Sequence, residues 1–515
     1  MNGIFGKMEK TSRIGFDNEK YLQEQSNAIL ERVNQFSDKL YLEFGGKILY
    51  DYHAARVLPG FAPNVKIRLL QNLKDQVDVI MCVYAGDIER NKIRADFGIT
   101  YDVDVLKSID DLKWYGIHVA AVVITRFDGQ PAAVAFKNKL ELKGLRVYLH
   151  RPTKGYPKNV DLIVSDEGYG ANEYIETSKP IVVVTGPGPG SGKLATALGN
   201  MYHDIRKGRK AGYAKFETFP VWDLPPDHRV NIAYEAATAD LKDVNMIDTH
   251  HLKAYGVKVV NYNRDIEAFG LLKKMLEKIT GSTSVYLSPT DMGVNRISAG
   301  IIDDSVCQAA AYQEIIRRHL RSFVEYVMGR AAKDTVNRTT EIMDKVGAKD
   351  EDRRVVEPAR QAAKDAERIG KGYGGIYCGA AIQLHDGTIV TGKNSPLLHA
   401  SSSMILNATK YLAGLPDNMI LLPENIIDSV THLKKNILNG KNASLDVEET
   451  LIALSISAIS NPAAQMALHK LTGLNNCEMH SSHIPTPGDE AGLRKLKVNV
   501  TCDPLFSSKR LFVSE

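Results

Sequence analysis

The amino-acid sequence predicts an α/β protein with a doubly wound, mostly parallel sheet, and three observations lead to this fold class. Short apolar runs recur along the first half of the chain, helix-like segments lie between them, and a glycine-rich loop follows one run. Such apolar runs suit strands that are buried on both faces of a parallel sheet. Alternating strands and helices then favour the doubly wound arrangement.

The predicted strands are the apolar runs themselves. They are Val77–Tyr84, His118–Thr125, Leu145–Leu149, Val160–Val164 and Ile181–Thr185, followed later by Tyr213–Val221 and Val257–Tyr262. Lys39–Phe44 and Lys47–Tyr50 predict a hairpin, because the two glycines between them favour a tight turn. The predicted helices between the strands include Tyr21–Phe36, Gly129–Leu142, Leu194–Arg206 and Ile266–Thr280.

The length of 515 residues is too great for one compact core, so several domains are expected. Residues 1–304 carry the α/β pattern and form the predicted phosphate- or nucleotide-binding region, which can be divided near residue 175. Residues 305–370 are rich in Ala and charged residues with helical spacing, which predicts a helical connecting region. Residues 371–515 begin with strand-like segments and continue with helices, which predicts a C-terminal α+β domain.

Composition and charge indicate a cytoplasmic protein. The net charge is +4 and no run of Lys and Arg is concentrated enough for a nucleic-acid binder. The five cysteines are scattered and contain no CxxC pair, which fits a reducing compartment. Met1–Asp17 has no apolar core for a secretory signal, and no window is apolar enough for a membrane span. We therefore expect no nucleic-acid or membrane partner, and a homo-oligomer for a chain of this size.

The strongest motif is the loop Gly186–Lys193, with the sequence GPGPGSGK, between an apolar strand and an amphipathic helix. Glycines let backbone N–H groups approach an anion closely, and a helix N-terminus adds unpaired donors and partial positive charge. Lys193 supplies a full positive charge. The loop therefore predicts a site for a phosphate group, held by Gly186, Gly188, Gly190, Ser191, Gly192 and Lys193. A Gly/Pro-rich turn that only joins strand to helix is the alternative.

The loop resembles the Walker A loop of P-loop nucleotide-binding proteins, with two departures. Gly186 lies one residue too far from Gly192 for the usual spacing, and Leu194 stands where a Ser or Thr would ligate magnesium. Thr196, further along the helix, would point to another side. The comparison thus favours phosphate binding over magnesium-dependent hydrolysis, and a magnesium cofactor is doubtful.

A Rossmann dinucleotide loop is the competing interpretation. The G-x-G-x-x-G pattern fails at the glycine loop, because Ser191 stands where the third glycine belongs. The pattern does occur from Gly370 to Gly375, but this stretch follows a helix and precedes a strand, which is the wrong order. That second match is interpreted as a linker.

Two acidic segments are candidate partners of the loop, supplying a metal ligand or a base. Asp166 and Glu167 follow the predicted strand Val160–Val164, much as in a Walker B segment. Asp291 and Arg296 lie in the polar loop SPTDMGVNR, and loops beyond strand ends are where α/β sheets bind ligands. Solvated strand ends and a helix-capping turn are the alternatives for these two segments.

Several histidines invite a metal-site interpretation. Adjacent His250 and His251 face different ways on a helix and cannot easily share one ion, so a surface or capping role is favoured. His480 and His483, near Cys477 and Glu478, are interpreted as polar loop residues. The metal therefore stays unknown.

The start of the C-terminal domain is similar in outline to a cytidine-deaminase-like domain over about 40 residues, with two strands joined at Asp386-Gly387 and a helix after His399. Zinc chemistry of that kind needs H-x-E and a later P-C-x-x-C. Ser401 replaces the glutamate and the cysteine pair is missing, so deaminase activity is not expected.

The GPGPGSGK loop, the SPTDMGVN loop and the LHASSS segment together resemble an uncharacterised bacterial protein family of unknown function. Some of its members carry the label of ATP-dependent zinc protease. The sequence contains no H-E-x-x-H motif, which argues against the protease half of that label, whereas the glycine loop is compatible with the ATP half.

These observations predict a protein that binds a nucleotide or another phosphorylated small molecule, acting as a phosphotransferase or ligase. In that hypothesis Lys193 neutralises phosphate charge and Asp166, Glu167 or Asp291 serves as metal ligand or base. A non-catalytic ligand-binding or scaffolding protein and a dinucleotide-dependent oxidoreductase are the alternatives.

Overall fold

The computed structural model describes residues 14–36, 38–45, 47–94, 98–440 and 442–507. Most of the N-terminal segment assessed for a secretory signal lies outside these residues. The chain divides into two units, one of Ile14–Glu235 with Asp243–Ala311 and the other of Ala236–Lys242 with Tyr312–Glu515. The domain limits predicted at residues 304 and 370 stay predictions.

A seven-stranded sheet, in which every neighbouring pair is parallel, forms the centre of the first unit. Its strand order is β11-β8-β1-β7-β2-β5-β6. These strands are β1 (Lys39–Phe44), β2 (Val77–Tyr84), β5 (His118–Thr125), β6 (Val147–Leu149), β7 (Ile181–Thr185), β8 (Ala211–Phe216) and β11 (Gly293–Val294). Two smaller pairs are β3 (Ile93–Arg94) with β4 (Ile99–Thr100), and β9 (Asn245–Ile247) with β10 (Val260–Tyr262).

Helices follow most strands of this unit, as the alternating sequence pattern predicts. They are α1 (Asn18–Asn34), α2 (Tyr52–Val57), α3 (Val65–Asn72), α4 (Ala85–Glu89), α5 (Tyr101–Trp114), α6 (Pro131–Leu142), α7 (Val160–Ile163), α8 (Lys193–Arg206), α9 (Arg229–Ala237), α10 (Thr249–Tyr255), α11 (Asn263–Thr280), α12 (Pro289–Met292) and α13 (Ile297–Gly300). On one face of the sheet, Leu198 and Met201 of α8 and Phe269 of α11 pack with Cys82 and Val184 in a buried core. This packing fixes α8, and with it the glycine loop, against the sheet.

Two predictions about strands are wrong. Lys47–Tyr50 forms no strand, and β1 pairs in parallel with β7 and β8 instead of turning back on itself. Val160–Val164 forms a turn of helix, because the Asn159 side chain accepts a hydrogen bond from the Leu162 amide at 3.0 Å and caps α7. A run of four or five apolar residues does not distinguish a strand from a buried helical turn.

The second unit contains a four-stranded mixed sheet in the order β13-β12-β14-β15. Its strands are β12 (Gly379–Gln383), β13 (Ile389–Lys393), β14 (Glu478–Ser481) and β15 (Asn499–Cys502). Helix α14 (Asp304–Val327) leads into this unit, and its other helices are α15 (Lys333–Val346), α16 (Val356–Arg368), α17 (Ala400–Leu412), α18 (Glu424–His432), α19 (Val447–Ser457), α20 (Pro462–His469) and α21 (Pro487–Lys495). The parallel sheet and this mixed sheet confirm the predicted fold class.

Candidate functional site

The glycine loop lies at the carboxyl end of β7, in the middle of the parallel sheet. From β7 the chain passes through α8 to β8, on one side of β7, whereas from β2 it passes to β5, on the other side. Since β7 and β2 are neighbours, their connections diverge and leave a crevice at their carboxyl ends. Open α/β sheets bind their ligands at such a topological switch point.

The loop ends with backbone donors that nothing in the described chain uses. Gly190 and Gly192 have φ of +72° and +90°, so the chain turns tightly before α8 begins at Lys193. The amides of Gly190 to Ala195 have no hydrogen-bond acceptor among the described residues, and Thr196 is the next to donate, to the Gly192 carbonyl at 3.0 Å. A row of free N–H groups at a helix N-terminus is an anion-binding arrangement.

Glycine is required at position 192 by a close contact as well as by conformation. A Cβ on Gly192 would lie 2.7 Å from the Cβ of Thr125, the last residue of β5. Thr125 also donates from its Oγ1 to the Ser191 carbonyl at 2.8 Å. The loop is therefore seated directly on the end of a strand that is distant in sequence.

Two cationic side chains adjoin the loop. Arg126 donates a hydrogen bond to the Gly190 carbonyl, and its guanidinium lies 3.5 Å from the centre of the Tyr84 ring. The Lys193 ammonium lies 3.4 Å from the Gly188 carbonyl, so it folds back over the loop. Both charges therefore lie beside the row of free amides.

Ser191 carries a polar group without a partner in the described chain. Its side chain is 1% exposed, and its hydroxyl makes no hydrogen bond. It lies on the inner side of the loop, where a Cβ on Gly186 would come within 2.5 Å of it. A buried hydroxyl without a partner costs free energy unless a water or ligand oxygen satisfies it.

The structure does not bring Asp166 or Glu167 to the glycine loop. Asp166 accepts a hydrogen bond from the Tyr202 hydroxyl at 2.8 Å, and Glu167 lies 3.3 Å from the Lys154 ammonium. Tyr202 is nine residues beyond Lys193 in α8, about 14 Å along the helix axis. The acidic pair therefore lies at the far end of α8.

Asp291 caps α12 and lies beside the edge strand β11, three strands from β7. Its carboxylate accepts hydrogen bonds from the Leu287 and Ser288 amides and from the Tyr255 hydroxyl. Arg296, from the same loop, lines a separate cavity. The structure thus places neither residue at the glycine loop.

Both parts of the chain match models of one domain family. Residues 14–347 match "Domain of unknown function DUF1846, N-terminal", and residues 351–512 match "Domain of unknown function DUF1846, C-terminal". The chain belongs to the DUF1846 family. The resemblance to a bacterial family of unknown function is thereby confirmed, and the glycine loop falls within the N-terminal match.

Relatives of this DUF1846 chain align over almost their whole length. A "UPF0371 protein" of Clostridium tetani, strain Massachusetts / E88, is 57% identical over 501 residues, which cover 97% of this chain and 99% of the relative. A "UPF0371 protein" of Clostridium botulinum, strain Alaska E43 / Type E3, is 56% identical over 500 residues, with the same two coverages. The similarity therefore covers both units.

Three histidines of the DUF1846 chain that the sequence analysis considered, His250, His251 and His399, have structural partners. His251 Nδ1 lies 2.9 Å from the Ser288 hydroxyl, and the His250 ring packs on Phe269. His399 Nδ1 lies 2.8 Å from the Asp489 carboxylate, and this pair joins the first turns of α17 and α21. Across the described ranges, no three His, Cys, Asp or Glu side chains are grouped as metal ligands.

Among the helices of the described residues, none combines the length and the apolar character that a membrane span requires.

Thr125, Arg126 and Tyr84 were not predicted as site residues. They precede the loop by 60 residues or more in the sequence, and only the strand order brings them to it. One pattern could have identified two of them. Thr125 ends the apolar run of β5 and Arg126 follows it, so this polar pair lies at the strand end where α/β sheets bind ligands.

Proposed function

We propose that this DUF1846 chain binds a phosphate-bearing small molecule, a nucleotide first of all, at the glycine loop. The observation that carries the proposal is the row of free amides from Gly190 to Ala195 at the switch point between β7 and β2. These amides would cradle phosphate oxygens, and the Ser191 hydroxyl would gain a partner. Lys193 and Arg126 would balance the phosphate charge.

A phosphotransferase or ligase acting on a small metabolite is the activity that we propose for this site. Phosphoryl transfer depends mainly on positioning and on stabilising the charge of the transferred group, and fixed amides with Lys193 supply both. Asp166, Glu167 and Asp291 stay weaker candidates for metal ligand or base, since their contacts hold them away from the loop.

A non-catalytic ligand-binding protein is the second candidate. It is favoured by Leu194, which stands where P-loop enzymes place a magnesium-binding hydroxyl, and by Thr196, which is only 1% exposed. Magnesium-dependent turnover of any nucleoside triphosphate would decide for the enzyme. Ligand binding without turnover, over a panel of acceptor metabolites, would decide for the binding protein.

A thermal-shift screen tests the shared part of both candidates. The purified chain is screened with nucleotides, dinucleotides, phosphorylated metabolites and coenzyme A, with and without magnesium. A ligand at 100 times its dissociation constant adds about 2.7 kcal/mol of stability, which is readily measured. The same screen is repeated on Lys193→Ala and on Lys210→Ala, whose exposed lysine lies beyond the other end of α8.

A shift that is lost in Lys193→Ala and retained in Lys210→Ala supports the site and identifies the ligand class. Equal shifts in wild type and Lys193→Ala would remove the loop from consideration. A dinucleotide giving the largest shift would favour the oxidoreductase alternative.

We also propose that the protein acts in the cytoplasm as a homo-oligomer, and light scattering of the purified chain tests the assembly.

A further inference from the structure

A cavity separate from the glycine loop lies in the first unit, beside the edge strand β11 and its neighbour β8. Its volume is about 320 Å³, which suits a small metabolite. The residues of its wall that matter for recognition are Lys215, Glu217, Trp222, Asn261 and Arg296. None of them belongs to the glycine loop.

One end of the cavity has an excess of negative charge. The Lys215 ammonium lies 2.8 Å from the Glu217 carboxylate and 2.5 Å from that of Asp265. Glu43, directly opposite Lys215 on the neighbouring strand, adds a third carboxyl, which is buried. One ammonium thus faces three carboxyls. Burial raises the pKa of Glu217 to about 7; the charge of Lys215 opposes this rise and that of Asp265 adds to it. A cationic group of a ligand would neutralise this excess.

Beside Arg296 the cavity suits an anionic group of a ligand instead of a cationic one. Its guanidinium makes one long contact in the described chain, 3.4 Å to the neighbouring Asn295 carbonyl. Arg32, which also lines the cavity, is by contrast occupied, since it donates to the Asp291 carbonyl at 2.8 Å and lies over the Tyr286 ring. Arg296 therefore retains donors for a planar anion, and a carboxylate matches the guanidinium geometry.

We propose that this cavity binds a small zwitterion of the amino-acid class, with its ammonium at Glu217 and its carboxylate at Arg296. The Asn261 amide and the Trp222 ring complete the wall around the remainder of the ligand. The inference does not depend on phosphate binding at the glycine loop, because the two sets of residues are separate.

Trp222 provides the assay. The chain has two tryptophans, and Trp114 is 80% exposed, so Trp114→Phe leaves Trp222 as the only reporter. Each standard amino acid is titrated into the full-length Trp114→Phe protein, together with the carboxylic acid and the amine that each lack one pole. We expect a saturable change of emission with one class of amino acid and much weaker binding of the single-pole analogues.

Four variants in the same background complete the test. At pH 8, where Glu217 is ionised, Arg296→Gln and Glu217→Gln are expected to weaken binding by about ten-fold or more, because each removes a charged partner. Arg68→Gln, which removes only an ion pair with Glu19 in α1, and Lys193→Ala are expected to bind as the parent does. Circular dichroism establishes that each variant is folded.

The proposal would be overturned by no saturable response to any amino acid at millimolar concentrations. Equal affinity for an amino acid and its carboxylic acid would also overturn it, as would full affinity in a folded Arg296→Gln variant. Loss of amino-acid binding in Lys193→Ala would contradict the independence of the two sites. Failure of the phosphate screen would leave this result unaffected.

Discussion

The guanidinium group of Arg126 donates a hydrogen bond to the main-chain carbonyl oxygen of Gly190. Arg126 adopts a left-handed backbone conformation, with φ of +50°, directly after β5. This contact ties the end of one strand to the glycine loop at the end of another. It also occupies a carbonyl of the loop while the amides that follow stay free, so the loop can present donors to an anion.

Replacing Arg126 with Gln is expected to weaken the binding of inorganic pyrophosphate by about ten-fold, because a charge beside the loop is lost. Folding should change little, since Arg126 is exposed. Isothermal titration calorimetry measures the affinity. The matched control is Arg146→Gln, which removes an exposed arginine near the amino end of the sheet. An equal loss of affinity in both variants would indicate a general effect of charge and contradict the local role.

Ser191→Ala separates binding from stability. Because the buried hydroxyl has no partner in the described chain, its removal is expected to leave the free energy of unfolding unchanged or to raise it by about 1 kcal/mol. Pyrophosphate affinity should nevertheless fall. Urea unfolding and calorimetry measure the two quantities.

Ser288→Ala is the matched control for Ser191→Ala, because the Ser288 hydroxyl accepts from the Asp291 amide and caps α12. Its loss is expected to cost about 1 kcal/mol of stability. Destabilisation of similar size in both variants would show that Ser191 has a structural partner after all.

The central sheet could be predicted because burial on both faces imposes continuous apolar runs. Val77–Tyr84, His118–Thr125 and Ile181–Thr185 are strands with the predicted limits. The partner of β1 could not be predicted in the same way. Its pairing with β7 and β8 depends on long-range strand order, whereas the local Gly45-Gly46 pair suggested a hairpin.

The candidate site was predictable only as far as one continuous segment specifies it. Gly186–Lys193 contains the lysine and four of the six free amides, so the sequence alone predicts the loop as a candidate. Thr125 and Arg126 come from the end of β5, and their role depends on the strand order. Asp166 was predicted to follow a strand, because an acidic pair comes directly after an apolar run. The structure has a helical turn at that run instead.

Gly192→Ala is expected to destabilise the protein for two separable reasons. With φ of +90°, the backbone is left-handed, which costs a non-glycine residue about 1–2 kcal/mol. The new Cβ would also lie 2.7 Å from Thr125, so the loop or the strand end must shift. We expect a loss beyond the conformational cost alone, measured by urea unfolding, together with loss of pyrophosphate binding.

Gly208→Ala isolates the conformational part of that cost. Gly208 has a similar φ of +78°, and its Cβ would meet no described atom within 4 Å. It should therefore show the left-handed penalty alone and retain pyrophosphate binding. Equal losses of stability in Gly208→Ala and Gly192→Ala would show that the contact with Thr125 contributes nothing. The close packing of the loop against the end of β5 would then be wrong.

The carboxyl of Glu217 predicts a pH dependence of stability. Burial and nearby Asp265, against the opposing charge of Lys215, raise its pKa from 4.5 to about 7 in the folded protein. Between these two values the folded state binds a proton that the unfolded state has released. This group therefore stabilises the fold less as pH rises, with a slope of up to about 1.4 kcal/mol per pH unit.

Glu217→Gln removes this titration, since an amide does not ionise. The stability of the wild type relative to the variant is expected to decline from pH 4.5 to about 7 and to level off above that. Urea unfolding of both proteins at a series of pH values measures the difference, and other titrating groups cancel where the variant leaves them unchanged. A difference that is constant across this range, or that increases with pH, would show that Glu217 is ionised near neutral pH and that Lys215 balances its charge.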